Sequence, residues 1–122
     1  MKTSTSFVCG TSDEPLIYET IGDALDRVVG LWGEKEAIVI RHQGIRWNYR
    51  QLGEAVDAFA AGLLALDLQR GDRIGIWSPN NIEWVIAQFA TAKAGLILVN
   101  INPAYRKAEL IYTLNKVDCK AL

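Results

Sequence analysis

The chain has 122 residues, with 13 Lys plus Arg against 14 Asp plus Glu and a formal charge of −1 at neutral pH, so no overall field draws it to nucleic acid or to an acidic membrane surface. Half of the residues are hydrophobic and 22% are charged, a composition that supports a packed core and excludes disorder of the low-hydrophobicity kind. Cys9 and Cys119 stand near opposite ends of the chain and follow no metal spacing, which points away from a disulfide framework and toward a reducing, cytoplasmic setting.

Residues 1–19 carry no hydrophobic period and read as an N-terminal arm, anchored by Leu16, Ile17 and Tyr18. A single Lys2 and the short apolar pair Phe7-Val8 ahead of Asp13-Glu14 match neither a signal peptide nor a transit peptide. The longest apolar stretch, residues 58–66, falls far short of the ~20 residues that span a bilayer. The first helix opens after Thr20, which serves as N-cap with Asp23 in the first turn. Its apolar residues Ile21, Ala24, Leu25, Val28 and Trp32 recur at helical spacing, and Gly33 stops it. Asp23 and Asp26 fall on its polar face.

The short β-branched run Ala37-Ile38-Val39-Ile40 and the run Ile45-Arg46-Trp47 flank Gln43-Gly44, which predicts a hairpin whose turn uses positive φ at Gly44. His42 beside that turn reads as structural. Asn48 and Gln51 form a capping box for a second helix running to about Leu66, with the stripe Leu52, Val56, Phe59, Leu63 and Leu66 toward the core. Arg70-Gly71-Asp72 is turn punctuation rather than an adhesion signal. From Arg73 to Asn100 the pattern is strand, helix, strand. Its helix carries Ile82, Val85, Ile86, Phe89 and Ala90 and stops at Gly95, and such a crossover makes its strands parallel. A further helix with Leu110, Ile111 and Leu114 leads to the opening of another strand at 118–122, so residues 20–122 read as an incomplete α/β subdomain of something larger.

The sequence holds one histidine and no nucleophile motif, no loop ending in Gly-Lys-Ser/Thr and no Gly-x-Gly-x-x-Gly, which leaves no triad, P-loop or dinucleotide device. Two loops follow parallel strands at one sheet edge. The first, residues 78–81, opens a helix whose N–H groups could receive an anion, unless Asn80 or Asn81 simply caps it. The second, residues 100–105, contains the turn formers Asn102 and Pro103. Trp77 and Trp84 border the first loop, and the four tryptophans interleave with no basic cluster, against a single-strand stacking platform.

Residues 71–84, Gly-Asp-Arg-Ile-Gly-Ile-Trp-Ser-Pro-Asn-Asn-Ile-Glu-Trp, followed by Ala92-Lys93-Ala94-Gly95 and Asn102-Pro103-Ala104-Tyr105, closely resemble the N-terminal region of acyl-CoA synthetases of the adenylate-forming, AMP-binding superfamily. The resemblance extends from Thr20 onward. At 47–52 the chain carries Asn48 where members usually have Thr, and 99–106 looks most like the branch handling medium or long fatty acids. It implies the N-terminal part of an adenylate-forming fold: a mostly parallel sheet flanked by helices, plus the hairpin near residues 37–47. It further implies a parent ligase that joins a fatty acid to CoA through an acyl-adenylate, using ATP, Mg2+ and CoA. The phosphate loop, magnesium ligand, ribose-binding Asp and adenylating Lys have no counterparts here. The resemblance therefore implies an inactive scaffold piece binding none of these cofactors, prone to self-association, with Asn102, Pro103 and Tyr105 beside the CoA entrance. A free-standing α/β module binding a small ligand or partner, and a piece of an aryl-CoA ligase or amino-acid adenylation domain, are the alternative readings.

Overall fold

The computed structural model describes Gly10 and residues 15–122. The reading of the extreme N-terminus as free of targeting signals, and Cys9, lie outside the described residues. Helix α1 (Ile21–Trp32) begins with a capping box. The Thr20 hydroxyl accepts from the Asp23 N–H at 3.1 Å, and the Asp23 carboxylate accepts from the Thr20 N–H at 3.4 Å, which satisfies two donors the helix cannot. The expected anchoring of the arm does not occur: Leu16, Ile17 and Tyr18 are 80%, 75% and 95% exposed. Arg27 reaches back from α1 to Glu19, its Nε donating to the carboxylate at 3.0 Å.

Strands β1 (Glu36–Ile40) and β2 (Ile45–Asn48) pair antiparallel, with Ile40 opposite Ile45 and a bulge between Glu36 and Ile38. Their link is longer than Gln43-Gly44 alone predicts. A 3-10 turn at Arg41–Gln43 comes first, and Gly44 closes it at φ 67°. Positive φ is thus needed once, after the turn, rather than at both centres of a two-residue hairpin loop. His42 is exposed in that turn.

Helix α2 (Tyr49–Leu64) has the expected box, with the Gln51 N–H donating to Asn48 Oδ1 at 2.9 Å and the Asn48 N–H to Gln51 Oε1 at 3.0 Å. It ends before Leu66, where the chain reverses through Asp67 at φ 58°. Its inward line is Leu52, Val56, Ala60 and Leu63. Phe59 and Leu66, expected in the core, are 45% and 63% exposed. The small Ala60 takes the central place in the i, i+4 series, and Phe59 sits one residue, about 100°, off that line.

The remaining elements are β3 (Arg73–Ile76), α3 (Ile82–Lys93), β4 (Ile97–Asn100), α4 (Lys107–Lys116) and β5 (Cys119–Ala121). Their sheet has the order β4-β3-β5, and both pairings are parallel. The fold is the expected one: a parallel sheet with helices and one antiparallel hairpin. Helices α1, α2 and α3 pack on one another, and α3 also touches β3 and β4. The core is Leu25, Leu52, Val56, Ala60, Leu63, Ile74, Ala90 and Leu96, with Val56 and Ala90 fully buried. Helix α4 is different: none of its residues is buried, and Ile111 is exposed. Arg106 offers no side-chain acceptor, so its start is only half capped, by the Glu109 carboxylate accepting the Arg106 N–H at 3.2 Å.

Three features lock the elements together. Lys93, at the end of α3, donates at 2.5 Å to Asp26 of α1 and at 2.5 Å to Asp57 of α2. Its stem crosses Gly22, where a Cβ would stand 2.9 Å from Lys93 Cγ. Arg73 donates from Nε to the Val117 carbonyl at 2.7 Å and from Nη2 to Asp118 at 2.9 Å, tying β3 to the turn before β5. At Gly75 of β3 a Cβ would lie 2.9 to 3.2 Å from Leu122, Ile101 and Cys119 side-chain atoms, so those residues close directly over the strand's backbone. The 69–72 turn is confirmed by the Asp72 N–H donating to the Gln69 carbonyl at 2.9 Å.

Candidate functional site

Parallel register puts Ile76 beside Asn100, so the loops after β3 and β4 leave the sheet at the same end, as the strand–helix–strand pattern predicts. The Ile101 N–H donates to the Ile76 carbonyl at 3.0 Å, and the Trp77 indole N–H donates to the Asn102 carbonyl at 3.1 Å. Between the loops lies an open cleft of about 540 Å³, walled by residues 78–80 and Trp84 on one side and residues 100–103 on the other.

Asn102 and Pro103 therefore do meet the first loop. Asn102 also builds its own turn, its side-chain oxygen accepting the Ala104 N–H at 3.0 Å and its carbonyl the Tyr105 N–H at 3.0 Å. Tyr105 is placed elsewhere, in a shallow hollow with Glu109 and Tyr112 of α4.

The start of α3 is not an open anion seat. Asn81 Oδ1 accepts the Trp84 N–H at 2.9 Å while its own amide donates to Ser78 Oγ at 2.8 Å, so the capping account of this loop holds. Gln43 reaches over from the hairpin link. Its Oε1 accepts the Ile82 N–H at 2.8 Å, and its Nε2 donates to the Glu83 carboxylate at 2.9 Å. The Gln43 bond, then a bond from its own backbone, hold the Glu83 carboxyl below the usual carboxylate range. An incoming anion would find these donors taken and a carboxylate beside them. Nothing in the sequence pairs Gln43 with residues some forty positions later, and only its place next to a positive-φ glycine marks it.

A second cavity, about 550 Å³ and mostly apolar, opens between α2, α3 and the sheet. Phe59 and Leu66 line it, which is where those two exposed side chains point, and among the described residues Glu83 is the only charged one of its wall. A carboxylate ligand here would meet a like charge.

Among the described residues, the cleft walls contain Ser, Pro, Asn, Trp and Ile but no Lys, Arg, Asp or Glu, and no three His, Cys, Asp or Glu gather to hold a metal. The donor set present thus does not fit a nucleoside triphosphate or Mg2+.

Residues 25–122 match the family model described as AMP-binding enzyme. The chain belongs to the AMP-binding enzyme family. Among its relatives, "Medium-chain acyl-CoA ligase ACSF2, mitochondrial" of Mus musculus is 48% identical over 117 residues, covering 96% of this chain and 19% of that protein. A structure titled "Mycobacterium tuberculosis fatty acyl CoA synthetase" superposes with TM-score 0.80 at 27% identity, over 83% of this chain and 20% of the other. The inhibitor-bound N-terminal domain of FACL13 from Mycobacterium tuberculosis gives TM-score 0.81 at 26% identity, over 84% and 26%. The chain thus spans about a fifth of the length of the AMP-binding relative from mouse. No described helix is long and apolar enough to cross a membrane.

Proposed function

We propose that these 122 residues are the N-terminal part of an ATP-dependent acyl-CoA synthetase that activates a medium-chain fatty acid as its adenylate and passes the acyl group to CoA thiol. The observation that carries this is the 48% identity, across nearly the whole chain, to a protein named as a medium-chain acyl-CoA ligase. In this reading the chain is scaffold. ATP, Mg2+ and the acylating residues belong to other segments, and the cleft at the 78–81 and 100–103 loops faces the CoA side, with Asn102 and Pro103 on its wall and Tyr105 in the neighbouring hollow against α4.

The test uses the full-length protein. Octanoate-dependent exchange of pyrophosphate into ATP, followed by octanoyl-CoA formation on adding CoA, is expected; absence of exchange with medium-chain acids overturns the reading. The 122-residue chain alone is expected to show no exchange. Asn102→Ala and Tyr105→Ala, in the full-length protein, are expected to slow thioester formation more than adenylation; equal losses return both residues to turn-forming. A cytoplasmic location is proposed on Cys119, a free thiol; the relative's name places that protein in mitochondria, and imaging the tagged full-length protein decides between them.

A further inference from the structure

We infer that Gln43, a residue outside both loops, is a positioning residue for the cleft, acting through the first turn of α3. This rests on the reading that the cleft serves the CoA step. The Gln43 side chain uses both ends of its amide. Oε1 takes the Ile82 N–H at 2.8 Å and Nε2 gives to Glu83 at 2.9 Å. Its orientation is fixed by chemistry, because an N–H needs an acceptor and a carboxylate needs a donor; a flipped amide would lose both bonds. Ile82 is buried at 3% exposure, so its N–H depends on a protein partner to replace water.

The contact places the hairpin turn against the residue that follows the 78–81 loop. Asn81 and Ser78 are bonded to each other, and Asn81 to Trp84, so the loop and its tryptophan move as one body with the helix start. Loss of the Gln43 bonds frees that body from the hairpin while leaving β3 and β4 paired. The cleft wall made by residues 78–80 and Trp84 then shifts against the 100–103 wall, which the Trp77–Asn102 bond holds to the end of β3.

Glutamate in place of Gln43 keeps the acceptor for Ile82 but sets one carboxylate against another. The charged or titratable groups facing Glu83 are few. His42 from the same turn acts on it, and the cavity wall from α2, β3 and β5 beside it carries no charge. A proton shared between the introduced carboxylate and that of Glu83 restores the donor, so the Gln43→Glu defect is relieved on acidification.

The experiment uses the full-length protein with octanoate, ATP and CoA. Gln43→Leu, which loses both hydrogen bonds, is expected to raise KM for CoA about five-fold, with pyrophosphate exchange unchanged within about two-fold. Gln43→Glu is expected to match it at neutral pH and to approach wild type, measured as a ratio at each pH, as the pH falls toward about 5.5. Unchanged KM, parallel loss of both half-reactions together with thermal stability, or a Gln43→Glu ratio flat with pH overturns the inference. If wild type itself makes no acyl-adenylate, the functional reading fails instead. Amide exchange at Ile82 then decides: faster exchange in Gln43→Leu supports the clamp, and unchanged exchange overturns it.

Discussion

Replacing Lys93 by Met separates charge from packing in the joint of the three helices. The ammonium donates to Asp26 and Asp57, yet those carboxylates are 59% and 63% exposed while the lysine side chain is only 14% exposed. Exposed pairs are worth about 0.2–1 kcal/mol each, so two pairs set an upper limit of about 2 kcal/mol. Part is offset because the ammonium is no longer desolvated, and the net expectation for Lys93→Met is about 1 kcal/mol. Met keeps the stem over Gly22. Ala does not, and losing three largely buried methylenes at about 0.8 kcal/mol each adds about 2 kcal/mol. For a chain of this size, at about 2.1 cal/mol/K per residue, 1 kcal/mol is about 4 °C in Tm.

Urea titrations of wild type, Lys93→Met, Lys93→Ala and the Lys93→Met/Asp57→Asn pair measure these terms. Burial works against the Lys93 charge, but the hydrogen bonds and charges of Asp26 and Asp57 outweigh it and raise its pKa above the ordinary 10.5. A raised basic pKa means the contribution is whole below the ordinary value and is lost as pH climbs through the raised one. The difference between wild type and Lys93→Met is therefore flat from about pH 6 to 9, shrinks in strong alkali, and shrinks in about 1 M salt. A Met variant as damaged as the Ala variant would falsify the division between charge and stem.

Other expectations follow from the same contacts. Val56→Ala removes two methyl groups at full burial and should lower stability by about 2–3 kcal/mol in denaturant titrations; a loss under about 1 kcal/mol contradicts its central place. Asn48→Ala should cost about 1 kcal/mol by loss of its cap, with Asn48→Asp nearly neutral, both read from urea midpoints. The Glu83 carboxyl, its pKa lowered by Gln43, stabilises above the ordinary carboxylate pKa and ceases to as pH falls through the lowered value. In Gln43→Leu its NMR titration should move upward, and an unmoved titration denies the bond. Isolated residues 1–122 should associate through the exposed Phe59, Leu66 and Leu122 and the edge of β5, unpaired among the described residues; a monomer at high concentration by light scattering refutes this.

Local rules carried far in this sequence because several boundaries are made by neighbours three residues apart. Thr20 with Asp23 and Asn48 with Gln51 satisfy one another's donors, and such pairs are visible without a fold. The parallel arrangement of β3 and β4 was likewise legible, since a helix of twelve residues must return the chain to the starting end. What escaped depends on contacts across long separations. A helical stripe shows which way Phe59 faces within α2 but not whether anything covers it, and it does not show that the helix ends before Leu66. The anion reading of the 78–81 loop failed because Gln43, from a hairpin some forty residues earlier, fills the place. Tyr105 shares a short motif with Asn102, yet the Asn102 turn sends it to the hollow beside α4.

The bare backbone at Gly75 gives the molecule a built-in gauge of its last strand. Cys119 packs its sulfur over that glycine and donates to the Ala121 carbonyl at 3.0 Å, so a thiol reagent gains full access when β5 lifts from β3. Cys119 is half-buried in the closed sheet, so in a Cys9→Ser background its labelling rate rises with those openings. Arg73 is the latch whose removal should speed them, and Gly75→Val a wedge that holds the strand away.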